Sequence, residues 1–216
     1  MLLKVRYSNR IFLLRGSLEN RQLSQIHGFY DECLSKYGNA NIWKYFTDVF
    51  DYLPLAAIVE SKIFCVHSGL SPDIETLEQI NKLDRIQETP PEGPLKDFLC
   101  SYPDDVLGWN QAYRPRINPP YIFGYGITEK FNRDNKLNML IRGHELFNNG
   151  YSWYHKKQIL TIFSAPNYTY RFGNKAAIIE FDEYLNNIIL QFIPNPIQRR
   201  KDQNKDFNRR IPDYFI

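Results

Sequence analysis

The most constraining feature of this sequence is a run of four apolar residues, Ile11 to Leu14, that ends at an Arg-Gly pair. A run of this length bounded by a turn residue is too short for a core helix and predicts a short buried strand. In sheets flanked by helices, ligands bind beyond the carboxyl ends of the strands. Ser17 and Leu18 follow at that point, but they offer a hydroxyl and an isobutyl group where a metal or phosphate site uses an amide, an imidazole or a carboxylate.

The composition indicates one medium-sized globular domain. Of the 216 residues 43% are apolar and 15% aromatic, which is enough for a core. The 27 basic and 24 acidic residues are mostly interspersed, which argues against a nucleic-acid or membrane surface. Cys33, Cys65 and Cys100 form no CxxC pair, so we expect free thiols and a location in the cytoplasm or nucleus. No run is long enough to span a membrane, and the first residues are too soon charged for a secretory signal.

Apolar periodicity predicts a mixture of helices and strands. No helix or strand is expected before the strand at residues 11–14, and a long ordered loop is expected over the proline- and glycine-rich residues 89–120. The predicted helices span residues 24–37, 42–53, 76–85 and 127–135. The other predicted strands span residues 55–59, 63–66, 137–141, 159–163, 176–181 and 188–192.

Two histidines share one context, because His67 and His144 each follow a predicted strand and lie beside or near a glycine. Neutral imidazoles at two strand ends are good ligands for a transition metal, which can activate a bound water for hydrolysis. Spacing alone is a weak signal, and two hydrogen-bonded loop histidines are the alternative interpretation.

Five motifs then occur in the order and close to the spacing of the phosphoprotein phosphatase family of serine/threonine phosphatases, which the chain resembles over almost its whole length. They are Arg15-Gly16-x-x-Glu19-x-Arg21-Gln22, Gly28-Phe29-Tyr30-Asp31-Glu32-Cys33, His67-x-Gly69-Leu70-Ser71-Pro72, Arg142-x-His144 and Ser164-Ala165-Pro166-Asn167-Tyr168-x-Tyr170-Arg171-x-Gly173-Asn174. Lys36-Tyr37-Gly38-Asn39-Ala40-Asn41 and the terminal Pro212-Asp213-Tyr214-Phe215-Ile216 make it most similar to the type 2A catalytic subunit.

The resemblance implies an α/β fold, a metallophosphatase-like (calcineurin-like) β-sandwich flanked by helices. It assigns residues 1–194 to the C-terminal two-thirds of a phosphatase catalytic domain that lacks its N-terminal strands, and residues 195–216 to a flexible basic tail. The strand at residues 11–14 would then be exposed where those strands belong, which invites pairing with another chain. The family uses two divalent metal ions (Mn, Fe or Zn) to activate water for attack on a phosphoserine or phosphothreonine ester.

Carried over residue by residue, the resemblance leaves the site incomplete. His67 and His144 match metal ligands, Ser17 replaces an asparagine ligand, and Leu18 replaces the histidine that acts as general acid. The D-x-H and G-D-x-x-D-R-G motifs, which carry the other ligands, do not occur in the sequence. We therefore expect at most one weakly bound metal ion.

The resemblance also names phosphate-binding residues and partners. Tyr168 matches a tyrosine that reaches the phosphate, and either Arg114 or Arg116 would bind it from an altered arginine loop. Phosphatase scaffold or regulatory subunits would bind through the tail, whose terminal Ile216 replaces a leucine that is carboxyl-methylated in type 2A enzymes. Substrates of the family are phosphoproteins.

These observations favour an inactive pseudophosphatase or scaffold that occupies phosphatase-binding partners. The alternative is a fragment of an active phosphatase whose N-terminal metal-binding motifs are missing from this reading of the gene. A decayed duplicate without function is the third interpretation.

Overall fold

The structure is a computed structural model that describes residues 1–111 and 120–195. Its α-helices are α1 (Leu2–Arg6), α2 (Arg21–Ile26), α3 (Phe29–Tyr37), α4 (Asn41–Tyr52), α5 (Leu77–Asn81), α6 (Pro94–Cys100) and α7 (Tyr125–Asp134). Its strands are β1 (Ala56–Val59), β2 (Ile63–Val66), β3 (Tyr102–Pro103), β4 (Trp109–Asn110), β5 (Ile122–Phe123), β6 (Met139–Arg142), β7 (Tyr151–Tyr154), β8 (Ile159–Ile162), β9 (Ala176–Phe181) and β10 (Asn187–Phe192). None of the helices in these two ranges is long and apolar enough to cross a membrane.

The main sheet has five strands in the order β1-β2-β6-β8-β7. The inner pairs β2-β6 and β6-β8 are parallel, whereas β1 and β7 run antiparallel at the two edges. Both faces of the inner strands are buried, which explains why they read in sequence as short continuous apolar runs. The predicted strands of this sheet are confirmed, apart from β7, which was not predicted.

The two faces of the main sheet carry separate cores. Phe64 on β2 and Leu140 on β6 are register partners, and both pack with Phe98 of α6 on the helical side. Their neighbours Ile63 and Met139 point the other way and join a cluster to which the hairpin β9-β10 contributes. Successive side chains of a strand alternate between faces, so one sheet holds both layers together.

This layered arrangement confirms the predicted mixed α/β class. A third, three-stranded sheet has the order β3-β5-β4, and its strands β3 and β4 lie in the region predicted as a loop while β5 follows directly after it. The prediction of a loop over residues 89–120 is therefore wrong in part, because α6, β3 and β4 also form there. Residues 112–119 lie outside the described part of the chain.

Two helical predictions need correction. The single helix predicted over residues 24–37 is split into α2 and α3 at Gly28, whose φ of 86° is left-handed and interrupts the helical path. The predicted helix at residues 76–85 is shorter, because α5 begins at a capping box formed by Thr76 and Gln79 and ends at Asn81.

The predicted strand at residues 11–14 is also wrong. This segment is neither helix nor strand, and α1 precedes it, contrary to the expectation of no earlier element. A strand needs a neighbouring strand for its backbone groups, and within residues 1–111 and 120–195 no strand lies beside this segment; its Ile11 N–H donates to the Tyr7 carbonyl instead. The conformation of residues 11–14 therefore depends on which segment lies beside them, and their own apolar pattern does not reveal this.

Candidate active site

Three residues singled out in the sequence meet at the carboxyl ends of β2 and β6. His67 follows β2 directly and His144 lies two residues beyond β6, so the parallel pairing of these strands brings them together. His67 Nε2 lies 2.9 Å from His144 Nδ1, and the Ser17 hydroxyl lies 3.3 Å from each of these nitrogens. We call this arrangement the Ser17–His67–His144 triangle.

The two imidazoles of the triangle are neutral at physiological pH. Burial, with a smaller contribution from the cationic Arg142, lowers the pKa of His67 to about 4. Burial also lowers the pKa of His144 well below its usual value, and the neighbouring His67 adds to the effect. A charged ring in this site would lose its hydration, so the 2.9 Å contact is a hydrogen bond between a protonated and an unprotonated nitrogen of two neutral rings.

Arg142 holds the loop that carries the histidines, a role that the sequence alone did not reveal. Its guanidinium is fully buried, donates to the Ser68 carbonyl through Nε, and donates to Glu145 Oε2 at 2.6 Å and Thr161 Oγ1 at 3.1 Å. Burial lowers the pKa of Arg142, and the Glu145 carboxylate opposes that effect. The backbone after β2 is thereby tied to that after β6. The sequence signal that could have indicated this role of Arg142 is an arginine within a short apolar strand.

The Tyr102 ring packs against the His144 side of the triangle. Its ring centroid lies 5.1 Å from that of His144, and the Arg142 guanidinium carbon lies 5.2 Å from the same tyrosine ring. The resemblance aligns Cys100-Ser101-Tyr102-Pro103 with a family loop that reads W-S-D-P, which implies an aromatic ring where the family has a carboxylate. This replacement reduces the negative charge that a divalent cation would need.

The loop that presents Ser17 is fixed by Arg15 and Glu19. The buried Arg15 side chain donates to the Glu19 carbonyl at 3.0 Å and to Asp51 at 3.1 Å. The Glu19 carboxylate in turn accepts the Gly16 N–H at 2.9 Å, and burial raises the pKa of that carboxyl. A Cβ at Gly16 would overlap the Glu19 carboxylate and approach His67 Cε1 to 3.0 Å, so a side chain there would displace Glu19 from its hydrogen bond with the Gly16 N–H.

The other predicted site residues have different surroundings. Leu18, which stands where the family has its general acid, is 38% exposed. Tyr168 packs its ring edge-on against Phe163 at 5.1 Å, and burial raises its pKa. Arg114 and Arg116 lie outside the described residues.

The described residues do not fit a two-metal centre. Such a centre holds two ions about 3.5–4 Å apart, and in this family the bridging ligand is an aspartate. No group of three or more His, Cys, Asp or Glu side chains in residues 1–111 and 120–195 is arranged to hold a metal ion. The donor set of the triangle is two imidazoles and a hydroxyl. These three neutral donors could share a single ion, but among the described residues no carboxylate joins them to bridge a second one.

Comparison with known proteins places this chain in a family. A solved structure of a protein serine/threonine phosphatase from Saccharomyces cerevisiae with similarity to human phosphatase PP5 superimposes with a TM-score of 0.82 at 32% sequence identity. The match covers 90% of this chain and 64% of that one, so the chain spans somewhat less than two thirds of its length. The predicted metallophosphatase-like fold is thereby confirmed. Residues 1–148 match the family described as calcineurin-like phosphoesterase. Because this match spans well over half of the sequence, the chain belongs to the calcineurin-like phosphoesterase family.

Proposed function

We propose that this chain is a serine/threonine phosphatase-like domain, nearest to the type 2A catalytic subunit, that does not hydrolyse phosphoesters by itself. The observation that carries the proposal is the donor set at the two strand ends, which consists of the His67 and His144 imidazoles and the Ser17 hydroxyl. Among the described residues no carboxylate joins them, and a two-metal centre needs one to bridge its ions.

The residue substitutions support the same proposal. The Ser17 hydroxyl is a poor neutral ligand for a divalent ion, and it is already within 3.3 Å of both imidazoles. Leu18 has no proton to give to a leaving oxygen. Loss of a general acid alone lowers the rate by about a hundredfold to ten-thousandfold. A single Zn²⁺ or Mn²⁺ bound weakly at the imidazoles would not supply the second ion that stabilises an attacking oxygen.

Hydrolysis of a phosphothreonine peptide in millimolar Mn²⁺ tests the proposal. We compare the chain with Ser17→Asn combined with Leu18→His, and with His67→Ala as the control. No form is expected to exceed the control, because the double substitution restores neither the bridging carboxylate nor the second metal. Robust activity of the unsubstituted chain that disappears in His67→Ala would overturn the proposal.

A second candidate function is that of a fragment of an active phosphatase. It is favoured by the comparison structure, because this chain covers 64% of that structure and leaves the other 36% without a counterpart. Joining a segment that carries the family's D-x-H and G-D-x-x-D-R-G motifs to the N-terminus of this chain tests it. If the added segment supplies the missing ligands, Mn²⁺-dependent hydrolysis should appear, and Ser17→Asn with Leu18→His should raise it by about a hundredfold or more. An inactive fusion that is folded by circular dichroism argues against this candidate.

We further propose that the C-terminal residues 210–216 recruit type 2A scaffold or regulatory subunits in the cytoplasm or nucleus. The support is the Asp213-Tyr214-Phe215 sequence, because aromatic anchors carry a large part of binding energy at interfaces. Deletion of residues 210–216 should abolish co-purification with the type 2A scaffold subunit and leave the circular dichroism unchanged. Unchanged recovery of that subunit would refute the proposal.

A further inference from the structure

A small apolar pocket lies on the helical side of the main sheet. It is lined by the buried side chains of Leu70, Ile74 and Phe131 and by the partly buried Trp109 and Ile127. Its volume is about 60 Å³, which gives room for about four water-sized atoms. A leucine side chain has four carbon atoms, so the pocket suits one aliphatic side chain. We call it the Trp109 pocket.

The walls of the Trp109 pocket are fixed by interactions within the fold. The Asn135 side chain, just after α7, donates to the Glu75 carbonyl at 2.8 Å and accepts from the Leu77 N–H at 2.9 Å. The Trp109 ring packs against Phe123 with 5.6 Å between the ring centroids. A pocket whose walls are already ordered binds a ligand at a lower entropic cost.

The Trp109 pocket does not involve the N-terminal segment. All of its lining residues lie within residues 70–134. It shares no residue with the cavity that is lined by Leu13, Leu14 and Glu19. The shape of the pocket therefore owes nothing to the first residues of the chain.

The charged residues that line the pocket are paired. Glu75 and Lys130 form an ion pair with each other, and their side chains are 65% and 49% exposed. Asp134 also lines the pocket, and its carboxylate lies 3.1 Å from Arg133. These four residues leave no net charge.

Two further carboxylates give the mouth of the pocket a negative charge. Asp73 lies between Pro72 and Ile74, which both line the pocket, and Glu78 is in the first turn of α5. Both are exposed, and neither forms an ion pair within the described residues. Residues 70–81, which form this wall, contain no basic residue. The wall therefore attracts a cationic partner.

We propose that the Trp109 pocket binds a leucine or isoleucine side chain of another polypeptide, in a segment with arginine or lysine on both sides. The aliphatic side chain is buried against Trp109 and Phe131, and the flanking cations approach Asp73 and Glu78. Tryptophan is enriched among the residues that dominate binding energy at interfaces. The inference does not depend on whether the domain hydrolyses phosphoesters.

Other occupants match this chemistry less well. A second copy with its pocket against this one would bring two acidic walls together, which costs free energy. The chain's own residues 112–119 and 196–216 are basic, but in neither segment does an isoleucine have a basic residue within two positions on both sides. We therefore assign the pocket to a separate polypeptide.

Binding of labelled seven-residue peptides to the full chain, measured by fluorescence anisotropy at low salt, tests the proposal. The probe has a central leucine, two arginines on each side of it and alanine elsewhere. One control has alanine at the centre, and the other has glutamates instead of arginines. The probe should bind about tenfold more tightly than the alanine control, which has three fewer carbon atoms to bury, and about tenfold more tightly than the glutamate control.

Two protein variants, checked for folding by circular dichroism, locate the binding site. Ile127→Phe fills the pocket, so it should weaken binding of the probe about tenfold and leave the alanine control unchanged. Asp73→Asn with Glu78→Gln changes exposed side chains only, and it should reduce the preference over the glutamate peptide to about threefold or less. The comparison of peptides needs no variant, so it decides the question even if Ile127→Phe does not fold.

Several results would overturn the proposal. They are equal binding of the leucine and alanine peptides, equal binding of the arginine and glutamate peptides, no binding of the probe at about 1 mM, and binding that a folded Ile127→Phe variant leaves unchanged. Tighter binding after deletion of residues 196–216, or after Arg114→Ser with Arg116→Ser, would overturn it in favour of the chain's own segments. A dimeric chain by light scattering that the probe dissociates would overturn it in favour of a second copy.

Discussion

Substitution of Asp51 by alanine is expected to destabilise the domain by about 3 kcal/mol. Asp51 pairs with Arg15, whose guanidinium is fully buried and lies 3.1 Å from the carboxylate, and also with the partly exposed Arg21 at 2.8 Å. Removal of one partner of a buried pair leaves an uncompensated buried charge and costs about 3–5 kcal/mol. The lower end applies here, because Arg15 keeps its bonds to the Glu19 carbonyl at 3.0 Å and the Gln87 carbonyl at 2.7 Å. Urea unfolding followed by tryptophan fluorescence measures the change.

Asp48→Ala is the matched control for this prediction. Asp48 pairs with Arg21 at 3.2 Å, but its side chain is 69% exposed against 14% for Asp51. An exposed ion pair contributes at most about 1 kcal/mol and weakens with added salt, whereas a buried pair is little screened. We therefore expect a small, salt-sensitive loss for Asp48→Ala and a large, salt-insensitive loss for Asp51→Ala. If the two losses agreed within about 1 kcal/mol of each other, burial of Arg15 would not govern the energetics, and the reasoning would be refuted.

Two further predictions concern packing and pH. Gly16→Ala should cost about 1–3 kcal/mol because its Cβ overlaps the Glu19 carboxylate, whereas Gly126→Ala in α7, with no atom near the added methyl, should be neutral or stabilise by up to about 1 kcal/mol in urea unfolding. Burial raises the pKa of Asp97 from its usual 3.8 to about 6, so the folded state binds more protons than the unfolded chain between these values. The stability contribution of this proton is complete below pH 4 and lost as pH rises through 6. Urea unfolding at several pH values should show this slope, and Asp97→Asn should remove it; an unchanged slope in the variant would contradict the assignment.

The central sheet could be predicted from sequence because its information is local. The parallel strands β2, β6 and β8 are buried on both faces, so each appears as a short apolar run closed by polar or turn residues. The edge strand β7, with Tyr151 and Trp153 among its four residues, is half-buried and gives a weaker pattern. Helical periodicity located α3 and α4 for the same reason, although the break at Gly28 depends on a backbone angle that periodicity does not report.

Residues 11–14 show where the local sequence pattern fails to predict the secondary structure. Residues 11–14 have the composition of a buried strand, but a strand is a relation between two segments, and the described chain offers no partner. The region of residues 89–120 fails in the opposite sense. Its prolines and glycines suggest a loop, but Pro94 occupies the first turn of α6, where a missing N–H costs nothing, and Gly93 caps that helix.

The candidate site was identified by resemblance, and its geometry was not foreseeable from sequence. The motifs indicated that His67 and His144 would lie together, but not that their nitrogens would approach to 2.9 Å or that Ser17 would complete the triangle. Burial by surrounding loops sets the pKa of both rings, and burial is a property of the whole fold. Arg142 was part of a quoted motif, but its structural role was missed because it depends on the distant Ser68 and Thr161.

The retained geometry has a physical explanation that does not require a metal ion. Arg142 and the Gly143 N–H, which donates to the His67 carbonyl at 3.0 Å, tie the two strand ends together, and the Arg15–Glu19 loop delivers Ser17 from a third direction. These hydrogen bonds are made by backbone groups and buried arginines, and they hold the loops in place without any contact to a ligand. The positions of His67 and His144 are therefore fixed by the scaffold itself. On the proposed function, the fold would preserve the arrangement of these histidines although the other ligands of the family are missing from the sequence.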